Sequence, residues 1–183
     1  MARLPYLDPA SAEEKARKIY EDLPAPLNIF RMMLHSPTNM RSLARFGAAV
    51  LGRQKLDPRL RELAILRVAT LSKADYEWTQ HVPIAIACGA KESEISAVRK
   101  GDLDSLDPEV RLVIRFTDEC VHDVKVSSGT FEEAKASFSS QEIVELVLAI
   151  GFYMMIARVL ETLEVDAEPA APEMAASFRR TSG

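Results

Sequence analysis

The chain has 183 residues, 48% of them apolar, with a formal net charge of −4 and a sequence pI near 5.5. That length suits one domain able to bury about 70% of its unfolded surface, and so many apolar residues with only 7 glycines exclude a collagen-like or largely disordered chain. The acidic balance argues against a nucleic-acid partner, whose phosphates want the opposite sign.

Residues 1–10 read as an extended lead-in punctuated by Pro5 and Pro9. Ser11 followed by Glu14 has the capping-box pattern and predicts a helix over 12–22, stopped by Pro24 and Pro26. Residues 28–34 form a short apolar helix or turn. Ser36-Pro37 opens the next helix, with Pro at its first position, running to 51. Along it Met40, Leu43, Ala44, Gly47, Val50 and Leu51 recur at helical spacing. Asp57-Pro58 opens a helix that carries Glu62 inside an apolar pattern. A break at 73–75 follows, with Asp75 as N-cap of a second helix bearing Tyr76, Glu77, Trp78 and His81. Pro83 kinks that helix or starts a new turn, and Gly89 caps it. Residues 91–100 predict a short amphipathic helix closed by Gly101. Asp107-Pro108 opens a helix over 109–124. After a turn at 127–129, Thr130 and Glu133 cap a helix to 137, and Ser139 or Ser140 caps the longest one, 141–164. The tail from Asp166 reads as an arm or as unstructured, with a short helix near 174–179. No strand-period alternation occurs, so the expected fold is all-α: a single-domain orthogonal helical array, with an N-terminal arm (1–36), a core (37–165) and a tail (166–183).

Cys88 and Cys120 form neither a Cys-x-x-Cys nor a metal-ligand spacing and read as buried thiols in a reducing compartment. The first twenty residues hold no apolar signal core. The longest apolar run, 146–157, falls short of the roughly twenty residues that a bilayer needs. The expectation is a soluble, cytoplasmic protein without a membrane partner or a metal.

Chemistry concentrates between Arg59 and Gly89. Glu77 and His81, at i and i+4, share a helical face. Carboxylates and an imidazole in apolar helices are costly to bury unless they pair or have a job. An imidazole titrates near neutrality and suits proton transfer. The plainer reading is a structural network, with Glu62 paired to Arg61 or Arg67 and Glu77 to Lys73 or His81. Tyr76 and Trp78 can line a pocket for a small planar acid, although Trp78 equally suits helix packing. Arg158, in the apolar stretch 151–163, needs an acid partner or an anionic ligand. His35 and His122 show no partner pattern.

The stretch Arg59 to Gly89 resembles the core motif of the carboxymuconolactone decarboxylase / alkyl hydroperoxidase D-like superfamily. The peroxidase branch carries a Glu, a Cys-x-x-Cys twelve residues on, and a His four residues after the second Cys. Here the Glu and His positions are held by Glu62 and His81, while Ala74 and Glu77 stand where the two cysteines would be. Tyr76 takes a place often held by His. A Glu four residues before the His, and the start Arg61-Glu62-Leu63, are similar to the decarboxylase branch.

The resemblance implies a cofactor-free acid–base enzyme of the alkyl hydroperoxidase D-like fold, acting on a small carboxylated lactone or related acid. His81, tuned by Glu77 and Glu62, would place the proton; Arg158 would hold the carboxylate; Tyr76 and Trp78 would line the site. It also implies a homo-oligomer, trimer or hexamer. Two alternatives stand beside it. One is an alkyl hydroperoxidase-like oxidoreductase, disfavoured by the missing Cys-x-x-Cys. The other is a non-catalytic helical binding or assembly protein in which Glu62, Glu77 and His81 are structural.

Overall fold

In the computed structural model the described residues, 1–23 and 25–177, build one 3₁₀ turn and ten helices, with no strand among them. The helices are α1 (Glu14–Glu21), α2 (Asn28–Met33), α3 (Pro37–Gly52), α4 (Pro58–Leu71), α5 (Asp75–Ala87), α6 (Glu92–Lys100), α7 (Pro108–Asp123), α8 (Ser128–Ser137), α9 (Ser140–Thr162) and α10 (Pro172–Ser177). The stop expected at Pro24 and the last residues of the 174–179 helix lie outside the described residues.

Helix α4 is the hub, packed by α5, α6, α7 and α9. A helix surrounded on all sides is apolar on all sides: Leu63, Ala64, Ile65, Leu66 and Val68 have no exposed surface. Asp57 starts it by accepting from the Arg59 and Leu60 N–H groups, and Pro58 occupies the first turn, where its missing N–H costs nothing. Helix α5 continues through Pro83 to Ala87. It ends in a Schellman arrangement: Ala90 N–H reaches Ala85 O at 2.9 Å, Gly89 N–H reaches Ile86 O at 3.0 Å, and Gly89 takes φ 97°.

Three expected caps move. Asp8, not Ser11, caps the first turn (Pro9–Ser11), and α1 starts later, at Glu14, without a side-chain cap. Asp75 is the first residue of α5 rather than its cap, and its carboxylate pairs with Arg99 at 2.8 Å. Ser127 caps α8 by accepting from Thr130 N–H, so the helix begins at Ser128 rather than after Thr130. At the first turn and at α8 the cap that forms, Asp8 or Ser127, is a polar residue three positions before the expected one, whereas α5 has Ala74 at its N-cap and no side-chain cap. Ser139 forms the capping box with Glu142 that starts α9.

Helix α9 is 23 residues long, with a mean hydropathy of 2.1 over its most apolar window. By length and composition alone it is long enough to cross a membrane, and 56% of that window is buried inside the protein, as in a core helix. Its outer face leaves Val144, Val147, Leu148 and Met155 exposed.

The arm and the tail are built into the fold. Ala25, Leu27, Ile29 and Met32 form one apolar cluster with Tyr76, Leu160 and Val165. The described part of the tail is docked rather than unstructured. Asp166 accepts from Ala2 N–H at 3.1 Å and from the Tyr6 hydroxyl at 3.0 Å, and Glu168 accepts from Asn28 N–H at 2.9 Å.

Candidate active site

Glu62 and His81 come from the two motif helices. Glu62 projects from the middle of α4 and is wholly buried. Its Oε2 lies 2.8 Å from His81 Nδ1, and its Oε1 accepts from Arg61 Nε at 3.0 Å. Arg61 is also buried, with Nη2 2.9 Å from Glu62 and 3.9 Å from Cys88 Sγ. The carboxylate is thus used on both oxygens, which is what permits its burial. A carboxylate can only accept, so Nδ1 carries the proton of this hydrogen bond. Nε2 makes no hydrogen bond among the described residues. The ring is steadied by Tyr153, edge to face at 4.7 Å between centroids.

Glu77 is the unusual group. It is buried on the same face of α5, and neither carboxyl oxygen has a hydrogen-bond partner. Burial raises its pKa well above the ordinary carboxylate range, and the charges of Glu161 and Glu62 push the same way. The site thus favours the protonated form of this side chain, an acid with a proton to give. The sequence left open which of Glu62 and Glu77 orients the imidazole; in the structure Glu62, across the helix pair, bonds to it, and Glu77 has no hydrogen-bond partner.

Glu77 and His81 line a cavity of about 160 Å³. Tyr76, Gln80 and Tyr153 are its other polar lining residues; the remainder is apolar, from α3, α5, α9, the arm and the tail. No Arg or Lys lines it among the described residues. Gly47 belongs to this wall: an added Cβ there would lie 3.2 Å from the Phe152 ring, so a bare backbone lets α3 and α9 close together. Burial, with the Glu62 charge, raises the Tyr153 phenol pKa and keeps it a hydrogen-bond donor. Burial also raises Tyr76, as does its bond to Glu168.

Two expected site residues lie elsewhere. Arg158 is exposed on the outer face of α9, with Nη1 donating to Met154 O at 2.6 Å. Tyr153, Ala157 and Leu160 take the inner face, and one step past Ala157 turns the helix about 100° outwards. Arg158 thus meets solvent, not a substrate in this cavity. Trp78 stands beside Glu77 but points to α6, where the Arg99 guanidinium lies 4.5 Å over its ring. Gln80, Tyr153 and Glu168 were not singled out as site residues from the sequence. Gln80 sits three residues after Glu77, the one local signal available; Glu168 had none.

Residues 37–119 match the model of the Carboxymuconolactone decarboxylase family. No curated protein sequence is significantly similar to the chain. Solved structures share the fold at low identity. A peroxidase-related protein with an alkylhydroperoxidase AhpD core, from Ralstonia eutropha, has a TM-score of 0.79 and 17% identity over 94% of both chains. A peroxidase-related protein from a Silicibacter species has a TM-score of 0.77 and 16% identity, again over 94% of both. The debrominase Bmp8, solved in complex with 2,3,4-tribromopyrrole, has a TM-score of 0.75 and 13% identity over 98% of this chain and 100% of its own. The middle of the chain is therefore similar to the Carboxymuconolactone decarboxylase family, and the whole chain shares the all-α fold of the alkylhydroperoxidase AhpD core, with Ala74 and Glu77 at the positions where the resemblance puts a thiol pair.

Proposed function

We propose that the chain is a cofactor-free acid–base enzyme that moves a proton to or from carbon in a small ring compound, a lactone or related acid. The observation that carries this reading is Glu77: a buried carboxyl with no partner, beside an imidazole that Glu62 already holds. A structural carboxyl would be paired. An acid and a base on one face of an apolar cavity are the components of proton transfer.

The carboxylated lactone suggested by the family's chemistry can react here without Arg158. The apolar wall strips water from the substrate carboxylate, and loss of CO₂ disperses its charge. The bond to the carboxylate breaks, its electron pair passes into the ring carbonyl as an enolate, and CO₂ leaves. Tyr153 is a donor for the enolate oxygen. Glu77 gives its proton to carbon. The buried carboxylate that remains is the disfavoured state of that site and takes a proton back, relayed from solvent by the His81 imidazole, before the next turnover.

Nothing in the geometry favours the thiol-peroxidase alternative. Neither Cys88 nor Cys120 lines the cavity, and burial raises the Cys120 thiol pKa, which disfavours the reactive thiolate.

The test is ultraviolet-monitored turnover of 4-carboxymuconolactone, generated in place, and of simpler lactones. Active wild type with His81→Ala and Glu77→Gln each slowed about 10²–10⁴-fold in kcat is the expected result. Full turnover by His81→Ala would overturn the assignment. Variants that lower the melting temperature of a protein with no turnover at all would favour the non-catalytic reading.

A further inference from the structure

The cavity's acid–base pair comes from the part of the chain that matches the family, but much of its wall does not. Leu23, Leu27, Ile29 and Phe30 enter from the arm, and Met174 enters from the tail. The segment 166–177 crosses the cavity as a strap. Its base is pinned to the chain start: Asp166 accepts from Ala2 N–H, and Arg3 N–H donates to Leu163 O at 2.9 Å. Its middle is pinned to α5. The Gln80 amide donates to Glu168 O and Pro169 O, both at 3.2 Å, and accepts from Ala171 N–H at 3.1 Å. The Tyr76 hydroxyl donates to the Glu168 carboxylate, which also accepts from Asn28 N–H. Beyond these latches α10 packs on α5 and places Met174 over the cavity.

We infer that this strap selects the ligand by size, with Met174 as the specificity-determining wall and Gln80 as the positioning residue that holds the wall in place. The reading rests on the cavity being the substrate site, though not on the acid–base chemistry inside it. The ligand class is a compound with a single ring. A buried apolar cavity of about 150 Å³ in another protein holds benzene, and this one measures about 160 Å³ with no Arg or Lys in its described wall. A thioether is flexible and cut back without disturbing a core, and Met174 is only half-buried. The strap is held by side-chain hydrogen bonds more than by buried apolar surface, which makes it a segment that opens locally while the helical core stays closed.

Binding of toluene (one ring) and indole (two rings) to the full-length protein, read as ligand-induced shifts in melting temperature, tests the size filter. The wild type is expected to bind toluene and to bind indole at least about tenfold more weakly. Met174→Ala is expected to remove that preference. The same preference in both proteins, or no binding of either ring to the wild type, would overturn the inference. For the latch, hydrogen exchange of the Ala171 amide should speed up in Gln80→Leu while amides of α4 stay protected; unchanged exchange at Ala171 would overturn that part. None of these readouts needs turnover. A failed filter beside an intact His81 dependence of activity, or the reverse, therefore separates this inference from the acid–base reading.

Discussion

At the level of single residues, the site is a chain of three buried groups, Arg61, Glu62 and His81, with Glu77 standing apart from it. The ion pair is what makes Glu62 tolerable inside α4. Arg61→Met should therefore cost about 3–5 kcal/mol by urea unfolding, because it strands a buried charge. Adding Glu62→Leu should return most of that loss, since the charge then disappears with its partner. Glu77 behaves in the opposite sense. Its pKa is raised in the folded state, by burial first and by Glu161 and Glu62 after it. The folded protein thus holds a proton that the unfolded chain has released, and stability falls as pH rises from the ordinary carboxylate pKa toward the raised one. Glu77→Gln keeps a neutral group of similar shape and loses this dependence. Its stability advantage over wild type should be absent at low pH and widen as pH rises through that window, measured by thermal unfolding at several pH values. A constant difference would mean that Glu77 is not protonated in the fold.

Helix ends decide how the motif helices meet. Lys73 takes φ 57° in the short break between α4 and α5, and Gly89 and Gly101 supply the positive φ that ends α5 and α6. Gly101 is tight as well as left-handed: an added Cβ would lie 3.3 Å from Arg67 Nη1, and Arg67 is tied to Asp118 and to Val98 O. Gly101→Ala should destabilise by about 1–2 kcal/mol. Val124, at the end of α7, is the converse case. It is β-branched at φ 65° and its side chain is 85% exposed, so it carries backbone strain with little packing in return. Val124→Gly should stabilise by about 1 kcal/mol, read in the same unfolding assay. The placement of Trp78 and Arg158 belongs to this level too. Trp78 sits one residue from the cavity-lining Glu77 and Arg158 one residue from the buried Ala157, and a single residue turns a helix by about 100°.

Across the molecule, Glu168 joins three distant parts of the chain: the tail that carries it, the Asn28 N–H at the start of α2, and Tyr76 on α5. Glu168→Ala should lower stability by about 1–3 kcal/mol, because it leaves the buried Tyr76 hydroxyl and the Asn28 N–H without their acceptor. The same change should increase binding of an apolar dye as the strap loosens over the cavity. Unchanged dye binding and unchanged stability would mean that the tail is not an integral wall.

The all-α fold, most helix spans, the Asp57 and Ser139 caps and the pairing of α4 with α5 were legible in the chain itself, since helical periodicity, caps and Pro positions act within a few residues. Glu62, Glu77 and His81 were legible as the candidate residues because charges in apolar helices are conspicuous. Their division of labour was not: which carboxylate holds His81 depends on how two helices cross. Nor was the cavity wall, where Gln80, Tyr153 and Met174 meet from segments up to 94 positions apart (Gln80 to Met174, 174 − 80). Local sequence sets which face a side chain takes on its own helix, but only packing sets what stands opposite.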